Sequence, residues 1–130
     1  MMNLVKKLHL ESEVKDQFST GEATQVHHVF PKSTFPNLAH YIENMIKLTA
    51  TQHYTKAHPK NNTQQIDLDY QCVCLLAKSQ SIENHINKGG LDYKKESFIH
   101  VINSGLKKSL SSTLNFRDIR LEISRIYNQL

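Results

Sequence analysis

Two short apolar runs, one from Val26 to Phe30 and one from Met45 to Leu48, are separated by a proline-bearing loop and followed at once by Thr49-Ala50-Thr51-Gln52. This order constrains the fold more than any other feature of the chain. The stretch Ala23 to Phe30 holds Val26, Val29 and Phe30, begins after the breaker Ser19-Thr20-Gly21 and ends at Pro31, as a strand would. Asn44 leads into Met45-Ile46-Lys47-Leu48, a second strand that can pair antiparallel with the first. The long connection is no obstacle, because each doubling of loop length costs only about 0.6 kcal/mol. Pro31, Ser33, Pro36 and Asn37 give the loop no sustained period, with a short helical turn expected near Leu38 to Ile42. Thr49 at an N-cap with Gln52 three residues on is a capping box, so a helix should start there and carry His53 in its first or second turn. Pro59 should end that helix near His58. Strand, loop, strand and helix make a ββα unit over about residues 23–59.

The flanking segments read as helical scaffold at 1–18 and 66–130. Leu4, Val5, Leu8, Val14 and Phe18 recur at roughly helical spacing near the start. Asp67 is an N-cap for a helix using Leu68, Cys72, Leu75 and Leu76, continuing to Ile82 and Ile86 after a break at Ser79 to Ser81 and stopping at Gly89-Gly90. Phe98, Val101, Ile102 and Leu106 indicate another helix, ended around Gly105. Phe116, Ile119, Ile123, Ile126 and Tyr127 form the apolar stripe of the last. The fold class expected is α+β: a hairpin and helix buttressed by several flanking α-helices, in one domain of 130 residues. A chain of this size buries roughly 65–70% of its unfolded surface, enough for a core without staples. Neither a repeat nor a low-complexity tract interrupts it.

Composition narrows the setting. Sixteen Lys and Arg against 12 Asp and Glu give a formal charge of +4 and a pI near 9.1, which permits an anionic partner without requiring one. Cys72 and Cys74 are too close on a helix to bridge comfortably and have no second pair, so a zinc knuckle is not expected and a reducing, cytoplasmic setting is favoured. Cys72 reads as core and Cys74 as packing against a neighbour. No apolar run approaches the roughly 20 residues of a membrane span, and no membrane partner is expected.

Five of the eight histidines, His27, His28, His40, His53 and His58, lie within 32 residues. Hydrolysis of a phosphodiester needs a base for water, a divalent cation to neutralise developing charge and a scaffold that aligns both. Neutral imidazole serves as base or ligand near pH 7. Neighbours on a regular strand face opposite sides, so His27 and His28 can serve one centre only near the strand end or on a distorted strand. Asn44 has a plainer use as a turn residue whose amide bonds nearby backbone. His53 and His58, five apart, point about 140° from one another on a regular helix, so both can be ligands only if the helix ends early. His40 reads as a surface or DNA-facing residue.

His27-His28, Asn44 and His53, with spacings of 16 residues from His28 to Asn44 and 9 from Asn44 to His53, resemble the motif of the HNH nucleases, a family with the ββα-metal fold. The resemblance covers Gln25 to Pro59. It implies that His27 and His53 are metal ligands, with His58 a candidate third, that His28 is the general base, and that Asn44 pins the loop against the base-bearing strand. It implies one divalent metal ion, with Mg²⁺ the first choice and Mn²⁺, Ni²⁺ or Zn²⁺ alternatives. The activity implied is a DNA endonuclease leaving a 5′-phosphate, working as a homodimer or within a larger restriction or defence complex. Lys32, Lys47, Lys56 and Lys60 surround the motif as candidate DNA contacts, and Lys107, Lys108, Arg117 and Arg120 form a second basic patch. Two other readings compete: a non-catalytic, zinc-stabilised DNA-binding or interaction module, and a histidine-based RNase or other hydrolase needing no metal.

Overall fold

A computed structural model describes residues 1–54 and 67–130. The architecture is α+β. Helix α1 (Met2–Leu8) precedes strand β1 (Gln25–His28), and two 3-10 turns, Pro36–Leu38 and Ile42–Asn44, lead into strand β2 (Met45–Leu48). Then come α2 (Ala50–Gln52), α3 (Leu68–Asn87), α4 (Lys95–Leu106) and α5 (Phe116–Asn128). The strands pair antiparallel, Gln25 with Leu48 through His28 with Met45. All of β2 is buried, because α1 covers the ribbon as well as the core behind it. Val29, Phe30, Ile46, Leu48, Leu75, Phe98, Ile102, Ile119 and Ile123 form the centre of one apolar cluster beneath the hairpin.

The capping box forms as expected. Thr49 Oγ1 accepts from Gln52 N at 3.2 Å, and Gln52 Oε1 accepts from Thr49 N at 3.0 Å. Asp67 and Asn115 likewise cap α3 and α5, accepting from Tyr70 N and Asp118 N.

Three expectations change. Helix α1 stops at Leu8, and residues 9–20 instead run as an irregular strap over α2, although Val14 and Phe18 had helical spacing. The strap's polar groups are taken up by the capping box: Gln52 Nε2 donates to Val14 O at 2.8 Å and Asp16 Oδ1 at 3.0 Å, and Thr49 Oγ1 donates to Phe18 O at 2.7 Å. Second, α3 passes unbroken through Ser79 to Ser81. Ser79 is fully buried and its hydroxyl accepts from Arg120 on α5, so packing overrides a weak local propensity. Third, Gly105 lies inside α4, where a Cβ would meet the Phe30 ring at 2.4 Å. It lets the helix approach the end of β1, while the turn that closes α4 is made by Lys107 in a left-handed conformation at φ 55. The cysteines exchange emphasis, Cys74 being fully buried and Cys72 only partly so. Among the described residues no helix is long and apolar enough to cross a membrane.

A buried charged cluster ties the strap after α1, β2, α3 and the segment before α4 together. Lys78 Nζ, inaccessible to solvent, donates to both Glu13 oxygens at 3.0 and 3.2 Å and to the Tyr93 hydroxyl at 2.6 Å. Glu13 Oε2 also accepts from Lys47 N at 2.7 Å, and His9 Nε2 lies 2.7 Å from the Tyr93 hydroxyl.

Candidate active site

The histidine pair occupies the end of β1. His27 faces Ile46 across the ribbon and is 2% exposed, whereas His28, opposite Met45, is the strand's last residue and half-buried. The register is regular, so the two side chains leave opposite faces, and of the two conditions under which they could share a centre it is the strand-end position that holds. On the His27 side lies α2. Because the capping box starts that helix directly after β2, His53 arrives as its C-cap over the strand, and the His27 and His53 rings stand 5.4 Å apart, centre to centre, tilted by 60°. The tilted ring of Tyr54 follows at 4.9 Å from His53.

This spacing fits a shared ion. With metal–nitrogen distances of about 2.1 Å and a roughly tetrahedral angle, two ligating imidazoles have ring centres about 5 Å apart. Among the described residues no group of three or more His, Cys, Asp or Glu is gathered for a metal, and the ring nitrogens of His27 and His53 are two that could hold one. His58, the candidate third, lies outside the described residues, as do Lys56 and Lys60.

His28 is oriented by the loop between the strands. Its Nε2 lies 3.2 Å from the carbonyl oxygen of Ala39, just beyond the first 3-10 turn. A carbonyl only accepts, so Nε2 carries the hydrogen and the neutral ring presents the lone pair of Nδ1. Burial lowers the imidazole pKa, the bond to Ala39 opposes this, and the charges of Lys32 and His40 lower it further.

Asn44 closes the loop. Wholly buried, it accepts from Phe30 N through Oδ1 at 2.8 Å and donates through Nδ2 to Phe30 O at 3.1 Å and Leu38 O at 3.2 Å. Its own carbonyl accepts from Val29 N at 2.8 Å. One side chain therefore holds the backbone two residues past His28 and the turn that delivers Ala39. Replacing Asn44 by alanine should strand three buried backbone groups and cost about 2–4 kcal/mol, read as a lower denaturation midpoint at unchanged m-value.

The lysines separate by burial. Lys32 is exposed beside His28 and accessible. Lys47 is not a DNA contact: it is 7% exposed, and its Nζ donates to Lys6 O at 3.1 Å and to His9 O, because both faces of β2 are covered. Arg120 is likewise drawn out of the second basic patch, bonding Ser79 and pairing with Glu83 at 2.8 Å to join α5 to α3.

Gln71 was not legible as part of this region. From α3 its Nε2 donates to Val29 O at 3.0 Å, and its Oε1 accepts from the Tyr127 hydroxyl of α5. The residue after His28 is thus held by Asn44 through its N–H and by Gln71 through its carbonyl. A polar residue in a helical pattern gives no local sign of such a distant partner. No family model matches the chain, and no curated protein and no solved structure is significantly similar to it.

Proposed function

We propose that the chain is a metal-dependent endonuclease of the HNH type that hydrolyses DNA phosphodiester bonds. The observation that carries this reading is the approach of His27 and His53, from a strand and a helix 26 positions apart, with His28 on the adjacent position presenting Nδ1. His27 and His53 would hold one divalent ion, which when bound neutralises charge developing on the scissile phosphate and leaving oxygen. His28 takes the proton of the attacking water at Nδ1, and its Nε2–H bond to Ala39 holds the ring while that proton moves. Asn44 acts through the backbone, fixing the strand end that bears His28 and the turn that bears Ala39. Gln71 supports the same backbone from the opposite side.

Supercoiled plasmid incubated with the purified protein and Mg²⁺, Mn²⁺ or Ni²⁺ should be nicked or linearised, and a chelator should stop the reaction. Cutting that persists in excess chelator would assign the histidines to metal-independent hydrolysis. Stoichiometric zinc whose removal unfolds the chain, with no cleavage under any metal, would make it a structural module instead.

A further inference from the structure

The approach of His53 to His27 is braced from outside the ββα unit. Gln52, the residue before His53, is wholly buried, and its amide fills all four of its hydrogen-bonding positions. One of these bonds, from Thr49 N, belongs to the capping box. The other three go to the strap: Oε1 accepts from Ser12 Oγ, and Nε2 donates to Val14 O at 2.8 Å and to Asp16 Oδ1 at 3.0 Å. Thr49 Oγ1 adds a fourth contact with the strap, donating to Phe18 O at 2.7 Å. A capping box needs none of these four bonds to start a helix, so they fix where the first turn lies rather than whether it forms. The strap is itself anchored on the ribbon. Glu13 N donates to Lys47 O at 2.9 Å, Glu13 Oε2 accepts from Lys47 N at 2.7 Å, and Ser12 and Val14 are each 3% exposed. Lys47 follows Ile46, the cross-strand partner of His27. One segment therefore bonds beside the partner of one histidine and beside the other histidine itself.

We infer that strap residues 12–18, gripping Gln52, position His53 against His27 and thereby set the affinity of the pair for its ion. The inference rests on the nuclease reading for the identity of the pair and adds to it the element that holds the two rings at their spacing. Ligand geometry has to be kept to within about 0.5 Å for a site to work, and two donors on separate elements keep it only if those elements are tied together. The strap is that tie. Gln52 and Ser12 are positioning residues that act through His53, and neither is a ligand.

The test reads metal affinity and ring geometry rather than cleavage. Co²⁺ alone is titrated calorimetrically into wild type, Gln52→Met, Ser12→Ala and Ile126→Val, and the NOE between the His27 and His53 rings is measured in each protein without metal. Gln52→Met keeps the length of the side chain and removes all four bonds; Ser12→Ala removes the strap hydroxyl and leaves the capping box whole. Ile126, buried on α5, is the control for a general loss of stability. Gln52→Met should weaken Co²⁺ binding by about 10–100-fold and Ser12→Ala by about fivefold, as loss of the groups that orient metal ligands does. The inter-ring NOE should fall in the same order. Ile126→Val should lower the denaturation midpoint and leave both readouts at the wild-type value. Should Gln52→Met fail to fold, Ser12→Ala carries the comparison. Wild-type affinity and NOE in Ser12→Ala, or an equal loss of Co²⁺ affinity in Ile126→Val, would overturn the inference. It fails separately from the nuclease reading. Co²⁺ affinity that depends on Ser12 and Gln52, with no cleavage under any metal, removes the nuclease and keeps the positioning; metal-dependent cleavage with affinity indifferent to both residues does the reverse. Wild type that binds no Co²⁺ would end the metal reading, and the NOE, measured without metal, would still decide whether the strap positions His53.

Discussion

His28→Ala should abolish most metal-dependent cleavage, by about 10²–10⁴-fold in kcat, while leaving the folded state and the His27–His53 pair intact. The expectation of an intact fold follows from the side chain's surroundings. His28 is only half-buried, its side chain bonds Ala39 O, and the backbone around it is held by the β2 register, by Asn44 and by Gln71 rather than by the imidazole. The expected kinetic loss follows from the lone pair at Nδ1, which alanine removes and solvent replaces poorly. His27→Ala should fail differently, through weaker metal binding that moves the activity to higher metal concentration, because the ring that it removes is the one against His53. Cleavage that survives His28→Ala at full rate would leave the fold description standing and remove the base. Equal metal titration curves for wild type and His27→Ala would remove the ligand pair.

How much of this was legible beforehand depends on how local each cause is. The hairpin, its register end and the capping box are written in adjacent residues: Val26 and Val29, Met45 to Leu48, Thr49 and Gln52. Each was readable because turn chemistry and short-range period specify it. The strap over residues 9–20 was not, since Val14 and Phe18 repeat at a helical interval while the deciding contacts come from Gln52 and Thr49, more than 30 positions away. Lys47 shows the same limit from the other side. An alternating strand suggests an outward lysine, but α1 covers that face, and its ammonium is consumed by the carbonyls of Lys6 and His9. In the site, the residue types and spacing of His27, His28, Asn44 and His53 were visible, and Asn44 makes the kind of backbone clasp expected of it. Gln71 and Ala39 were invisible because one acts from a distant helix and the other through a main-chain carbonyl that any residue could supply.

Lys78→Met should cost about 3–5 kcal/mol of folding free energy, a loss on the scale of a small protein's whole margin. Methionine fills much of the lysine's volume, so the cost is electrostatic: Glu13, with its side chain 1% exposed, would lose the ammonium that bonds both of its oxygens. The double variant Glu13→Gln/Lys78→Met removes both charges, and should recover a large part of the loss, because an apolar or neutral pair of similar shape is often as stable as a buried ion pair. Denaturant midpoints at constant m-value measure all three proteins, and a double variant no better than Lys78→Met would show that packing rather than charge decides. The same network gives stability a pH dependence. Burial pushes the His9 imidazole down to about 4, outweighing the pull of Glu13, so the folded chain stays unprotonated there while the unfolded chain binds a proton near 6.5. Between those values the unfolded state holds more protons, so this contribution is complete above about pH 6.5 and is lost as pH falls towards 4. His9→Gln should therefore flatten the stability curve between pH 6.5 and 4, and a curve as steep as wild type would place the acid-sensitive group elsewhere.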